Sequence, residues 1–297
     1  MQEIISYLKM NDVKFEESVG FPTLSSIRLG GTAAVVAYPD SISMLTQLLR
    51  FLSEKAKKFK VVGKMSNVLP PDTRYDGLIL KTTEMNNYSF TGTSLCAECG
   101  VSVPTLAYKT ALLGISGLEE LSGIPGTVGG LVAGNAGAFG KSVADVLSEA
   151  TVYDAGRGTV LNLRNDELDF SYRNSIFKEK PLFLLSAVFD LSPSSKEEVR
   201  AKILKYREER MSKQPYDYSS LGSVFKRPEG AYAAKLIDDL GLRGYRIGGA
   251  MISEKHAGFI VNLGDATSSD VKRLVQYVEE RVLTEYGITL EREIEYL

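Results

Sequence analysis

Between Gly123 and Gly140 the chain reads GIPGTVGGLVAGNAGAFG, and two shorter stretches of similar character precede it, Leu29-Gly30-Gly31-Thr32 and Gly63-Lys64-Met65-Ser66-Asn67. Loops of Gly, Ser, Thr and Asn bring backbone N–H groups close to an anion or a flat ring with no Cβ in the way. A lone Gly-Gly pair usually marks a turn. A long run interleaved with Pro, Thr and Asn points instead to a ligand lying against the backbone. Two common nucleotide loops do not fit. The G-x-G-x-x-G that follows a strand in dinucleotide-binding folds is absent. Gly140-Lys141-Ser142 is separated from Gly134 by five residues, where the phosphate cradle of ATPases requires four.

Other reactive side chains are few. The only cysteines, Cys96 and Cys99, have a CxxC spacing, and the only histidine is His256. A zinc site needs further ligands that the chain does not offer, so no metal is expected. The residues flanking the pair read as a strand rather than a helix start that would activate a thiol, which favours a structural role. A serine hydrolase is disfavoured by the absence of G-x-S-x-G. Near the end, Glu291, Glu293 and Glu295 alternate in LEREIEYL; on a strand all three would share one face, and spacing does not choose among them.

The elements that must position these loops are legible in outline. Leu45, Leu48, Leu49 and Leu52 recur at helical spacing, while Val61-Val62 and Leu78-Ile79-Leu80 read as short buried strands. Ser102 with Pro104 opens a helix that Gly114 can close. LSEATVYD and TVLNL form a hairpin across Ala155-Gly156-Arg157-Gly158, and Phe183 to Leu191 is another strand. SSKEEVRAKILKYREERMSK is a charged helix suited to a domain junction. Beyond it come a strand and turn in GSVFKRP, a helix in AYAAKLIDDLG, and strands at Tyr245 to Ile252 and Gly258 to Asn262. A helix capped by Thr267 and Asp270 and ended by Gly287 follows, then a final strand in ITLEREIEYL. The expected class is α+β. At 297 residues more than one core is expected: a lead segment 1–27, a ligand-binding domain 28–192 and a smaller domain 193–297. A formal net charge of -2 argues against nucleic acid or an anionic membrane as partner. No apolar run nears the roughly 20 residues that span a bilayer, and no signal region is evident, so a cytoplasmic location is expected.

Taken together the motifs resemble the FAD-binding fold of vanillyl-alcohol-oxidase-type (PCMH-type) flavoproteins and, more narrowly, the enolpyruvoylglucosamine reductase family. The leading Gly-Gly, the loop at Gly63, the GIPGTVGG…NAGAFG run, SYRNS at Ser171, GSVFKRP at Gly222, SEKHA at Ser253 and the terminal LERE recur in the family's order. This resemblance implies two α+β subdomains that bind FAD, followed by a substrate-binding domain. It implies non-covalent FAD, NADPH as co-substrate, and UDP-N-acetylglucosamine enolpyruvate as the molecule reduced. It places catalysis on Arg173, Ser223 and Glu293. Cofactor binding is carried over to Gly63, Ser66, Asn67, Gly123, Gly126, Thr127, Gly129, Gly130, Asn135 and Gly137, and substrate binding to Tyr172, Gln214, Lys226, Tyr245 and His256. Lys64 and Met65 stand where the family has glycines and Arg227 where it has Asn. The short stretch from Phe177 to Gln214 resembles the subtype without a tyrosine-bearing lid loop. A monomer is expected. The rival readings are a non-covalent FAD oxidase of the same broad fold and a catalytically silent UDP-sugar-binding protein.

Overall fold

The computed structural model describes all 297 residues. They form two compact units, neither contiguous in sequence. Unit 1 comprises Met1–Glu16, Val35–Lys64 and Gly77–Arg210; unit 2 comprises Glu17–Ala34, Met65–Asp76 and Met211–Leu297. The contiguous ranges expected from sequence differ from this division in three ways, the first being that residues 193–210, expected in the smaller domain, belong to unit 1. Residues 1–27 are not a separate piece: Ile4 and Leu8 of the Gln2–Met10 helix enter the core of unit 1, whereas Ile27 enters that of unit 2. Residues 65–76 also belong to unit 2. A scan along the sequence cannot see this, because strand pairing joins segments that composition does not link.

Besides two short two-stranded sheets, Gly137–Ala138 with Lys141–Ser142 and Ile115–Ser116 with Ser192–Pro193, unit 1 has two larger ones. In the first, Phe59–Val62 runs parallel to Tyr75–Lys81 in the register Val62 to Lys81, so this strand delivers the chain directly to Gly63. The Ile42–Glu54 helix begins at Ser41, whose side chain accepts from the Met44 amide, and buries all four predicted leucines. The second sheet is antiparallel, with Thr159–Arg164, Leu147–Asp154, Leu182–Asp190, Ser94–Glu98 and Tyr88–Thr91 in that order. The predicted hairpin is its outer pair. The Val103–Leu113 helix follows Ser102 and ends at Gly114, which takes a left-handed conformation.

Unit 2 is built on an antiparallel sheet in the order Ser219–Ser223, Phe259–Asn262, Ala250–Ile252, Arg246–Ile247. The long strand expected from Tyr245 to Ile252 is two short ones that reverse at Gly248-Gly249. A Cβ at Gly249 would fall 2.4 Å from the Ala266 nitrogen, so the reversal is packed too tightly for any other residue. The Ser268–Tyr286 helix has the predicted capping box and lays Val271, Leu274, Val275, Val278 and Val282 into the core. Its first amides also donate to Asp72, from Ser268 at 2.6 Å and Ser269 at 2.8 Å, an anionic side chain at the positive end of the helix. The expected final strand is largely irregular. Only Glu295–Tyr296 is strand, parallel to Val68–Leu69, with an isolated bridge earlier between Phe225 and Arg292.

Candidate active site

In unit 1 the glycine run is stitched to its surroundings through main-chain bonds. Val103 donates to Gly126 O at 3.2 Å, Val128 to Val101 O at 2.9 Å and Gly129 to Cys99 O at 2.7 Å. Gly63 lies against the same stretch, since a Cβ there would sit 2.2 Å from Thr127 Oγ1 and 3.0 Å from its Cγ2. Gly63→Ala is therefore expected to destabilise the protein by about 1–3 kcal/mol through overpacking. Urea unfolding reads this, and adding Thr127→Ala should restore most of the loss; a Gly63→Ala protein as stable as wild type would refute the close approach. Gly130 is the opposite case: a Cβ there meets nothing within 4 Å, leaving open space along the backbone.

Arg173 is tied to this run. The segment from Ser171 to Ser175 is linked to it three times, by Asn135 Nδ2 to Ser171 O at 2.8 Å, Arg173 Nη2 to Gly137 O at 2.9 Å and Ser175 Oγ to Ala133 O at 2.7 Å. Arg173 holds a φ of 55°, a left-handed conformation costly for a non-glycine residue and found where the surroundings enforce it. Asn135, assigned to the cofactor from the resemblance, is buried and uses its side chain within the protein, its Oδ1 accepting from the Ala144 amide at 3.2 Å. Tyr172 is exposed, with the Arg173 guanidinium 5.2 Å from its ring centre. Gly123 belongs to this unit as well.

In unit 2 the structure brings Ser223 and Glu293 onto neighbouring backbone. Glu293 N–H donates to Val224 O and Lys226 N–H to Glu291 O, each at 2.8 Å, so residues 291–293 run antiparallel to 224–226. Ser223 is exposed at the end of its strand, opposite Phe259. Asn67 fixes Glu293 from the other side: its Nδ2 donates to Glu293 O at 2.9 Å, and its carbonyl accepts from the Glu295 amide at 2.9 Å. Sequence reasoning gave Asn67 only to the cofactor; this clamp on the Glu293 backbone had no local signal. Ser66 is half-buried beside it in the chain.

The single strand expected to carry all three carboxylates on one face is broken at Ile294, where a bend separates the 291–293 pairing from Glu295 in its short strand beside Val68. Glu291 is 71% exposed and paired with Lys226, whose side chain is 17% exposed. Glu293 is half-buried and Glu295 exposed. Arg292 turns away to Glu279, its Nη2 donating to Oε2 at 2.6 Å. His256 Nδ1 accepts from the Gly258 amide at 3.1 Å, which leaves the proton on Nε2, and burial depresses its basicity. That turn carries the Gly258 carbonyl that accepts from Val224, so His256 supports the Ser223 strand through the backbone. Tyr245 stacks on Tyr277 with centroids 4.6 Å apart, and a hydrogen bond between the two raises the Tyr245 phenol's pKa. Gln214 is half-buried, one residue past the Lys196–Lys213 helix. Cys99 is buried and its thiol is pushed up to about 12, chiefly by burial, consistent with the structural reading of the CxxC pair.

Residues 33–164 match the FAD binding domain family, and residues 214–297 match the UDP-N-acetylenolpyruvoylglucosamine reductase C-terminal domain. The UDP-N-acetylenolpyruvoylglucosamine reductase of Caldicellulosiruptor bescii is 41% identical over 99% of this chain and 94% of its own. The chain belongs to the UDP-N-acetylenolpyruvoylglucosamine reductase family. The reductase of Carboxydothermus hydrogenoformans is 42% identical over 91% of this chain and 89% of its own. The crystal structure of the Thermus caldophilus reductase superposes with a TM-score of 0.80 at 32% identity, covering 96% of this chain and 98% of that one. The α+β class and the FAD-binding fold that the resemblance implied are those of this family. A family member must accommodate FAD, and the loops fit: Gly63 is pressed to Thr127 while Gly130 faces open space that a side chain would fill.

Proposed function

We propose that this chain reduces UDP-N-acetylglucosamine enolpyruvate to UDP-N-acetylmuramate with NADPH, a step in building the peptidoglycan precursor on which cell shape and division depend. The reading is of a cytoplasmic monomer with no membrane insertion; no helix is long and apolar enough to cross a membrane. FAD, held by the glycine loops without a covalent bond, supplies the hydride that side chains cannot carry. The chain's own residues have three tasks: to hold the substrate carboxylate, to stabilise the charge that develops on it, and to deliver a proton to carbon. Arg173 suits the first two, since a guanidinium grips a carboxylate bidentately and more strongly as charge builds. Ser223 is the proton donor: a hydroxyl is a weak acid in water, but it can protonate a strongly basic enolate within hydrogen-bond reach. Glu293 orients that hydroxyl or donates a hydrogen bond itself. The observation that supports the reading is the backbone pairing of residues 291–293 with 224–226, in which Glu293 lies opposite Val224, the residue after Ser223. Tyr172, Gln214, Lys226, Tyr245 and His256 remain candidates for the UDP-sugar. Arg227, with its guanidinium 4.4 Å from the Tyr232 ring centre, presents a different surface from the family's Asn.

The purified protein should be yellow and should release FAD on denaturation. Incubation with NADPH and UDP-N-acetylglucosamine enolpyruvate should give a product heavier by two hydrogens in the mass spectrum. A colourless protein that FAD cannot reconstitute, or an unchanged substrate mass, would sink the proposal.

A further inference from the structure

The Lys196–Lys213 helix buries only Val199, yet at three successive turns it meets the segment that leads into the glycine run. Lys202 Nζ lies 3.8 Å from Glu119 Oε1, the Tyr206 hydroxyl donates to Glu120 Oε1 at 3.0 Å, and Arg210 Nη1 donates to Gly123 O at 2.8 Å. Residues spaced by four lie along one helix face, so a single stripe follows the chain from Glu119 to Gly123. The first rung has a firm anchor. Glu119 is buried and accepts from Ser116 Oγ and the Gly117 amide, each at 2.6 Å. At the last rung the arginine crosses residue 123 so closely that a Cβ there would lie 2.5 Å from Arg210 Cδ.

The same stripe reaches the far end of the run. Phe139 stacks on Tyr206 with ring centroids 4.5 Å apart and planes 29° from parallel, and the Arg210 guanidinium sits 5.7 Å from the Phe139 ring centre. Phe139 and Gly140, with φ of 52° and 83°, are the two turn residues of the hairpin that pairs Gly137–Ala138 with Lys141–Ser142, a tight turn that takes left-handed backbone at both positions. The Phe139 ring is 37% exposed, so immersion in the core does not fix where it lies. Its stack on Tyr206 is what joins this hairpin turn to the helix.

We infer that Tyr206 and Phe139 are positioning residues that set the shape of the Gly123–Gly140 loop before FAD arrives, with the 196–213 helix acting as a strap. The inference rests on the flavin reading of that loop. A glycine-rich segment loses more conformational freedom on ordering than any other. If folding has already ordered it, ligand binding does not carry that cost. Loosening the strap therefore weakens FAD binding while leaving the fold in place.

Three variants test this: Tyr206→Leu, Tyr206→Phe and Phe139→Gly, the last chosen because glycine adopts the observed φ freely and the loop can keep its path. Apoprotein of each is titrated with FAD by flavin fluorescence. Hydrogen exchange of residues 134–140 is followed without FAD, and urea midpoints are recorded. Tyr206→Leu and Phe139→Gly are expected to weaken FAD binding by about three- to tenfold, the range implied by losing one aromatic pair. Exchange in the loop should quicken while the urea midpoint of Phe139→Gly barely moves. Tyr206→Phe, which keeps the ring and loses only the bond to Glu120, should stay within about twofold of wild type. In the Phe139→Gly background, Tyr206→Leu should have no further effect. Unchanged affinity and unchanged exchange in Phe139→Gly would overturn the inference. A wild-type protein that binds no FAD would overturn the flavin reading, and loop exchange alone would then decide whether the strap orders the run.

Discussion

Ser223→Ala is expected to leave reduction of the flavin by NADPH nearly intact and to slow reoxidation by the enolpyruvyl substrate about 10²–10⁴-fold, the usual loss when a general acid is removed. The two half-reactions separate because the hydroxyl is needed only when the substrate's carbon takes its proton. The position suits the role. Ser223 ends a strand anchored by Ser219 and Ser220 opposite Asn262 and Val261, and its side chain is exposed rather than packed. Removing a hydroxyl there leaves neither a cavity nor an orphaned partner, so stability should change little. Stopped-flow absorbance of the flavin follows both halves. If both ran at wild-type rates, Ser223 would not be the donor; if both slowed equally, the change would lie in cofactor binding instead.

Glu293 should matter far more than its neighbours. Glu293→Ala is expected to cut turnover by orders of magnitude, whereas Glu291→Ala and Glu295→Ala should remain active. The structure gives each carboxylate a different setting. Glu291 is a surface group paired with Lys226, and exposed pairs of this kind are worth about 0–1 kcal/mol. Glu295 sits in the short closing strand, where its amide is bonded to Asn67 and its side chain is exposed. Glu293 alone is half-buried and clamped on both sides of its backbone, by Val224 and by Asn67. A group that must stay within hydrogen-bond reach of a reacting centre needs that kind of fixing. Glu293→Gln keeps the shape and gains donors but cannot ionise, so retained activity would assign orientation and lost activity would assign the carboxyl group itself. Equal losses in all three alanine variants, with folding and FAD content preserved, would reopen the choice of carboxylate.

Much of the fold could be read from the sequence because its signals are local. The four leucines of the 42–54 helix, the capping box at Thr267 and the hairpin at Ala155–Gly158 each lie within one or two turns of chain. The Gly248-Gly249 reversal was hidden because those glycines interrupt a run of strand-like residues, and what requires glycine there is the backbone near Ala266. The alternation of the last carboxylates suggested one face of a strand; a bend at Ile294 and a change of partner from residues 224–226 to Val68–Leu69 break that regularity. Of the candidate site, residue identities were legible through ordered motifs, but their supports were not. The Asn67 clamp joins residues 226 positions apart, and the Tyr206–Phe139 stack joins a charged helix to a loop with no shared pattern.

Unit 2 is assembled from three stretches of chain, and this sets an order of events during synthesis. Asn262 Nδ2 donates to Ile27 O at 2.9 Å, Asp72 caps the 268–286 helix, and Val68–Leu69 needs Glu295–Tyr296 as its partner. The early pieces thus leave the ribosome without their partners. Roughly 220 residues separate Asp76 from Leu297, and at about 5–20 residues per second the wait is roughly 10–45 s. During that interval Ile27, Leu29 and Leu69 have no core of their own to enter, which makes the nascent chain a natural client for a chaperone that shields short apolar segments.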